Sequence, residues 1–491
     1  MSIPTNTLDW LAACGALQVL SFGRWLVPVA AWLAPAFLLH VTQSTPPLEG
    51  FSLVALALTV ALSIGNRNVI AIPGPAYFGV VVLIALGTAM PFLADRLLVP
   101  HLPASFAALV FPLAWTALEF LGLRVSPYGS WGALGYTQHG NLPLMQTASV
   151  TGIWGIGFLM TWFAAVVNLA WTHDFAWVDV HGDVVLYVAT WCAVMLAGGV
   201  RLLRSPQAPS VRAAGIGWPP GIIEPERFMR AIAPDLAPAE RDELREAFRQ
   251  VQDAFFTRTR REAQSGARII VWPEGNLMVF EDDEAVFLGH ARQLAREQGI
   301  QLLMGMATLS PGAARPVHNK AVLVSAAGEA MFSYTKITAV PGPEMRMNRR
   351  GAGPLPVVDT PHGRIGAAIC FDLDFPWLVR QAGRASADLL LVPASDWRGI
   401  GRLHQAMAEF RAIENGVALL RIARWGNSGA VDAYGRRLAT LDDFATPGGI
   451  MVAQVPASAG VHTLYTRIGD AFAWACVAGL FSCVVLAVLR G

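Results

Sequence analysis

The first two hundred residues contain no lysine and only 11 charged side chains. Over the whole 491-residue chain, charged residues reach 14%, against roughly 25% in soluble domains, and hydrophobic residues reach 54%. A net charge of +1 supplies no basic surface, so no nucleic-acid partner is expected. Cysteine is scarce as well. Four of the five (Cys14, Cys192, Cys476 and Cys483) lie in long apolar stretches, a pattern that suits neither a disulfide framework nor a zinc site. No metal or cofactor is expected. The opening residues lack a basic segment and a small-residue cleavage motif, so they read as a retained anchor.

What the chain has in quantity is apolar length. A bilayer span needs about 20 mostly apolar residues. Stretches near 9–22, 25–41, 52–65, 73–94, 104–121, 149–171, 184–201 and 467–489 give about eight candidates, with SFGRW (Ser21 to Trp25) a tight turn between the first two. Residues 1–204 therefore read as a transmembrane helix bundle, 205–466 as a polar domain and 467–491 as a closing transmembrane helix. The loop SPYGSWGALGYTQHGNLP (Ser126 to Pro143) is aromatic and glycine-rich, and Trp131 and Tyr136 suit a membrane–water interface, either touching lipid or simply anchoring the loop there. Glu119, near the end of an apolar span, is a third candidate, because a carboxylate there is costly unless it has a task; hydrogen bonding to the YGSWG loop is the equal alternative.

Residues 205–235 are proline-rich and read as an irregular linker. Beyond them, Ala237 to Gln264 has helical periodicity with charge on one face, and strands and helices then alternate, as in an α/β layered domain. Three strands end on polar residues: IIVWP on Glu274, MFSYT on Lys336 and RIGAAI on Cys370. Functional side chains collect beyond strand ends in such folds. A carboxylate, an ammonium and a thiol make a complete acyl-transfer set: base, oxyanion stabiliser and nucleophile. Asp372 reads as ordering the loop after the thiol. His404, at a helix start, reads as packing or hydrogen bonding ahead of a catalytic role, and Arg411 with Glu414 as a pair on one helix face.

The segments VWPEGNL, YTKITAVPGPE and AAICFDLDFP, in that order, resemble the Glu–Lys–Cys signatures of the carbon–nitrogen hydrolase (nitrilase) superfamily. The stretch Leu118 to Met160 and TLYTRIGDAFAW (Thr463 to Trp474) resemble the apolipoprotein N-acyltransferase family within it. That resemblance implies an αββα sandwich beside the membrane bundle, with Glu274 as general base, Lys336 at the oxyanion and Cys370 as nucleophile. It implies that Glu344 positions the lysine and that the Phe371 N–H is a second oxyanion donor. It further implies a phospholipid acyl donor, a diacylated lipoprotein acceptor, and a bacterial inner-membrane location with the catalytic domain on the extracytoplasmic face; a monomer is expected, though no residue pattern specifies the oligomeric state. Counting Arg24, Arg67 and Arg124 against Arg96 and Arg490 would place that domain inside, but long domains cross largely regardless of charge. Where the family has Tyr-Glu after the cysteine, this chain has Phe371-Asp372, closer to soluble nitrilases. A membrane-anchored amidase with water as acceptor therefore stays open, as does a non-enzymatic binding protein.

Overall fold

The computed structural model describes residues 5–206, 208–218, 225–457 and 460–490. It separates into two compact units, Met1–Arg204 with Arg467–Gly491, and Ser205–Thr466.

In the first unit, apolar helices stand at all eight expected places: Thr5–Val19, Pro28–Gln43, Pro47–Gly65, Pro75–Leu98, Ala104–Val125, Trp154–Thr172, Trp177–Leu203 and Ala471–Arg490. Six are long and apolar enough to cross a membrane. The first two run only 15 and 16 residues, short of the length a hydrocarbon core requires, so the expectation of about eight spans becomes six by length. The expected turn between those two contains a 3-10 segment at Gly23–Trp25.

The second unit carries twelve strands among the described residues. These are β1 Ser210–Ile216, β2 Ile269–Phe280, β3 Gln301–Leu309, β4 Val317–Val324, β5 Ala330–Thr335, β6 Val357–Thr360, β7 Gly363–Ala367, β8 Leu389–Ser395, β9 Ala418–Arg424, β10 Asn427–Val431, β11 Arg437–Asp442 and β12 Ile450–Pro456. They form two six-stranded sheets, β12-β1-β2-β3-β4-β5 and β11-β10-β9-β8-β7-β6. The segment read as a linker thus contributes β1, which pairs with β12 and β2; residues 219–224 of that segment lie outside the described residues. Ala and Gly fill three of the seven positions of SVRAAGI, so its side chains carry little of the β-branched signal that marks a strand.

Period-two alternation divides the core. Val211, Ala213, Ile269 and Val271 point to the apolar layer between the sheets, where Ile365, Leu389, Leu391 and Ile422 meet them. Their neighbours Ala214, Ile216, Ile270 and Trp272 point outward, under Phe248 and Phe255 of the helix Pro238–Gln264. Both faces of β2 are buried over Ile269 to Trp272, which is why IIVW reads as an unbroken apolar run. The helix Glu284–Gln298 covers the same sheet, and Pro376–Arg384 and Gly401–Asn415 cover the other, giving the αββα layers. Gly305 of β3 marks a close approach near the site: a Cβ there would stand 2.4 Å from the Pro273 carbonyl oxygen.

Candidate active site

Glu274 was expected just past a strand end, but β2 continues beyond it. Trp272 pairs with Met304 and Leu277 with Met306, so four residues, Pro273 to Asn276, bulge opposite Gly305 alone. Gly275 has φ +65°. A bulge re-aims a side chain that regular pleating would point into the core. Here it turns the Glu274 carboxylate toward the neighbouring strands, where Asn319 Nδ2 on β4 donates to Oε1 at 2.7 Å.

Lys336 follows β5, and its N–H donates to the Asn319 carbonyl at 3.0 Å. Its Nζ lies 2.7 Å from Glu274 Oε1 and 2.7 Å from Glu344 Oε1. Glu344 is itself fixed, accepting from the Val340 N–H and from Asn348 Nδ2, both at 3.0 Å. The ammonium is 3% exposed and clasped between two carboxylates. Burial opposes its charge, but Glu274 and Glu344 outweigh that and hold its pKa well above the ordinary lysine value.

Cys370 opens a 3-10 turn, Cys370–Asp374, three residues past the end of β7. Its φ is +46°, a left-handed conformation that costs a non-glycine residue of order 1–3 kcal/mol and so needs support from its surroundings. Asp372 supplies much of it. This fully buried carboxylate accepts four hydrogen bonds, from Thr338 N (2.9 Å) and Thr338 Oγ1 (2.6 Å) on Oδ1, and from Tyr334 Oη (2.8 Å) and Ile369 N (3.0 Å) on Oδ2. It ties the thiol turn to the segment carrying Lys336. The Phe371 N–H has no hydrogen-bond partner among the described residues, and its ring packs edge-on to Phe375.

The thiol is 4% exposed, and Sγ donates weakly to the Ser395 carbonyl at 3.5 Å. Burial raises its pKa well above the ordinary cysteine value; Glu274 adds to that and Lys336 opposes it. At rest the sulfur is therefore a protonated thiol with the carboxylate and the ammonium as its electrostatic neighbours. A base has to remove the proton before the sulfur can attack.

Sequence reasoning placed His404 as a packing or hydrogen-bonding residue, which it is, but missed its neighbours Asp396 and Arg421. Asp396, His404 and Arg421 are buried, and Sγ, an Asp396 carboxylate oxygen and a His404 ring nitrogen all lie within 4.8 Å of one another. The residue types are those of a metal site, but Asp396 already accepts from Arg421 Nη2 on both oxygens, at 2.7 and 2.9 Å, and meets His404 Nδ1 at 2.9 Å. Arg411 and Glu414 form the expected ion pair, at 2.9 Å and fully buried.

Trp131, Tyr136 and Glu119 belong to the other unit. Glu119 Oε1 accepts from the Leu134 N–H at 2.8 Å and from Trp115 Nε1 at 3.3 Å, pinning the aromatic loop. Tyr136 is buried with its hydroxyl 2.7 Å from Ser130 Oγ, and Trp131 stands edge-on to Phe22.

Comparison with known proteins matches this division. The family profile described as carbon-nitrogen hydrolase fits residues 244–461, and that of the apolipoprotein N-acyltransferase N-terminal domain fits residues 14–166. An apolipoprotein N-acyltransferase of Geobacter metallireducens is 28% identical across 100% of this chain and 96% of its own length. The chain belongs to the apolipoprotein N-acyltransferase family. Another member, from Bradyrhizobium diazoefficiens, is 27% identical over 84% of this chain and 79% of its own. Similarity to a deaminated glutathione amidase of Yersinia enterocolitica, at 28% identity, is limited to 36% of this chain and 72% of that protein. A solved amidase from Nesterenkonia sp. aligns with TM-score 0.41 at 20% identity, over 52% of this chain and 93% of that one. The chain joins apolar helices to the hydrolase-type domain, and it is a multi-pass membrane protein.

Proposed function

We propose that this membrane enzyme moves a fatty acyl group from a phospholipid, through a thioester on Cys370, to the N-terminal amine of a diacylated lipoprotein. The supporting observation is the full-length likeness to an apolipoprotein N-acyltransferase, in a chain whose Lys336 is clasped by Glu274 and Glu344 beside a buried thiol. In this reading Glu274 takes the thiol proton and the thiolate attacks the ester carbonyl carbon. Lys336 and the Phe371 N–H receive the developing oxyanion. Collapse breaks the ester C–O bond, and the lysophospholipid alkoxide leaves with the proton from Glu274. The lipoprotein amine then attacks the thioester and loses a proton to Glu274. Collapse to the amide expels the thiolate, which takes that proton back.

Both substrates carry acyl chains, and each CH₂ buried contributes about 0.8 kcal/mol, so a membrane bundle can hold them while excluding water from the thioester. The loop with Trp131, Tyr136 and the Glu119 that fixes it is proposed to line the acyl path. The enzyme is proposed to act as a monomer in the bacterial inner membrane, with its polar domain on the extracytoplasmic face. Intact-protein mass spectrometry after incubation with one defined phospholipid tests the reading. It predicts a single acyl mass on Cys370, lost in Cys370→Ala and discharged onto a diacylated lipopeptide. An adduct that persists in Cys370→Ala, or release of free fatty acid alone, would refute it.

A further inference from the structure

The steps above leave a buried cluster of charges beside the sulfur without a task. Asp374, Asp396, His404 and Arg421 are each 5% exposed or less. Taking such groups out of water costs several kcal/mol apiece before pairing, and an apolar core would often serve stability as well. The cluster's connections run through one imidazole. His404 Nδ1 lies 2.9 Å from Asp396 Oδ1, and Nε2 lies 3.5 Å from Asp374 Oδ2. Asp374 closes the turn that Cys370 opens, and Asp396 follows Ser395, whose carbonyl meets Sγ. Both chain segments that locate the sulfur therefore end on the same ring. Arg421 anchors Asp396 from β9 and donates through Nη1 to the Asn427 carbonyl at 2.8 Å.

We propose that His404 is a positioning residue for acyl transfer, bridging Asp374 and Asp396 so that the left-handed Cys370 turn stays seated against the end of β8. This rests on Cys370 being the nucleophile. The charged and titratable groups facing the ring are Asp374 from the turn, Asp396 after β8, Arg421 from β9 and the thiol itself; Trp397 adds only a ring edge at 6.2 Å. Burial opposes charge on the imidazole, but Asp374 and Asp396 outweigh it and raise its pKa to about 9. Both ring nitrogens therefore carry a proton at neutral pH, with Nδ1 hydrogen-bonded to Asp396 and Nε2 facing Asp374 as an ion pair, and the bridge weakens as pH rises through that value.

The test uses the full-length protein in detergent and p-nitrophenyl butyrate, a small activated ester that needs no phospholipid site. Single-turnover acylation of Cys370 is followed by intact mass from about pH 6.5 to about pH 10. The wild-type rate is expected to fall above about pH 9. Asp374→Asn removes the strongest support for the imidazolium, so its fall should move to lower pH. His404→Gln should lower the rate by about 10²-fold with half-saturation by the ester unchanged, because a small misplacement of a reacting atom costs that much. A His404 that only stabilised the fold would scale the rate with the folded fraction and leave the pH profile alone. A wild-type profile with no fall between about pH 8 and about pH 10, which needs no variant, overturns the proposal, as does an Asp374→Asn profile matching wild type. If the ester acylates other residues but never Cys370, the nucleophile assignment fails, and this inference with it.

Discussion

Replacing Lys336 with methionine separates two consequences that a simple alanine scan would merge. The side chain keeps its length and loses its charge, leaving Glu274 and Glu344, each 2.7 Å from the former ammonium, facing one another without a cation. Removing one partner from a buried ion pair typically destabilises by about 3–5 kcal/mol, since the surviving charge stays out of water. Glu344 keeps 22% of its side-chain surface exposed, so the lower end applies. The rate should fall separately, by about 10² to 10³, because one oxyanion donor is gone. The double variant Lys336→Met/Glu344→Gln removes the repulsion but not the catalytic defect. Thermal melting in detergent should therefore recover in the double variant, while single-turnover formation of the Cys370 acyl adduct stays slow. Should Lys336→Met acylate at nearly the wild-type rate, or should the double variant regain rate along with stability, the lysine is a structural counter-ion and the proposed chemistry is wrong.

Asp372→Asn turns an amine toward donors that now meet a carboxylate oxygen; each donor left unsatisfied costs about 1–3 kcal/mol, so melting temperature and adduct rate should fall together. Glu119→Ala strands the Leu134 N–H and the Trp115 indole and should lower the melting temperature, whereas Glu119→Gln, which retains an acceptor, should change it little. Loss of acyl transfer in Glu119→Gln with melting unchanged would instead assign that carboxylate to substrate. Stability should also depend on pH through His404. Its folded pKa of about 9 lies above the ordinary 6.5, so its contribution is complete below about pH 6.5 and is lost as pH climbs toward 9. Melting temperature measured across that window should decline, and the decline should be absent in His404→Gln.

Much of the site was legible because strand ends are legible: apolar runs stopping at Glu274, Lys336 and Cys370 named the three groups that the fold brings together. The bulge was not, since the residues after it, Leu277 to Phe280, return to the ladder and only the pairing shows the interruption. Asn319 was missed because it occupies an ordinary strand position. A usable signal lay next to it. The chain has only two lysines, Lys320 and Lys336, and otherwise relies on arginine. Both are buried on carboxylates, Lys320 against Glu284 and Lys336 against Glu274. Where arginine fills the ordinary basic positions, a surviving lysine marks a place that requires a compact ammonium. The Asp396–His404–Arg421 cluster was hidden for a different reason: its members come from three separate elements, and no spacing within one helix or strand relates them.

The Phe371-Asp372 pair, which in the sequence pointed toward soluble amidases, has a local explanation in the structure. The family's glutamate would bring one more methylene into a place where Asp372 is fully buried and both oxygens already meet two donors each. Thr338 and Tyr334 approach closely enough for the shorter acid, so the exchange concerns how the turn is braced, and the choice of acceptor for the proposed thioester is expected not to change. Inserting a methylene into a packed interior typically costs about 1–3 kcal/mol. Asp372→Glu should therefore be less stable than wild type despite restoring the family residue, and Cys370 acylation should slow while the ratio of amide to free fatty acid among the products stays the same. If that ratio shifts toward amide instead, the residue after the nucleophile does select the acceptor, and the water-using alternative regains its ground.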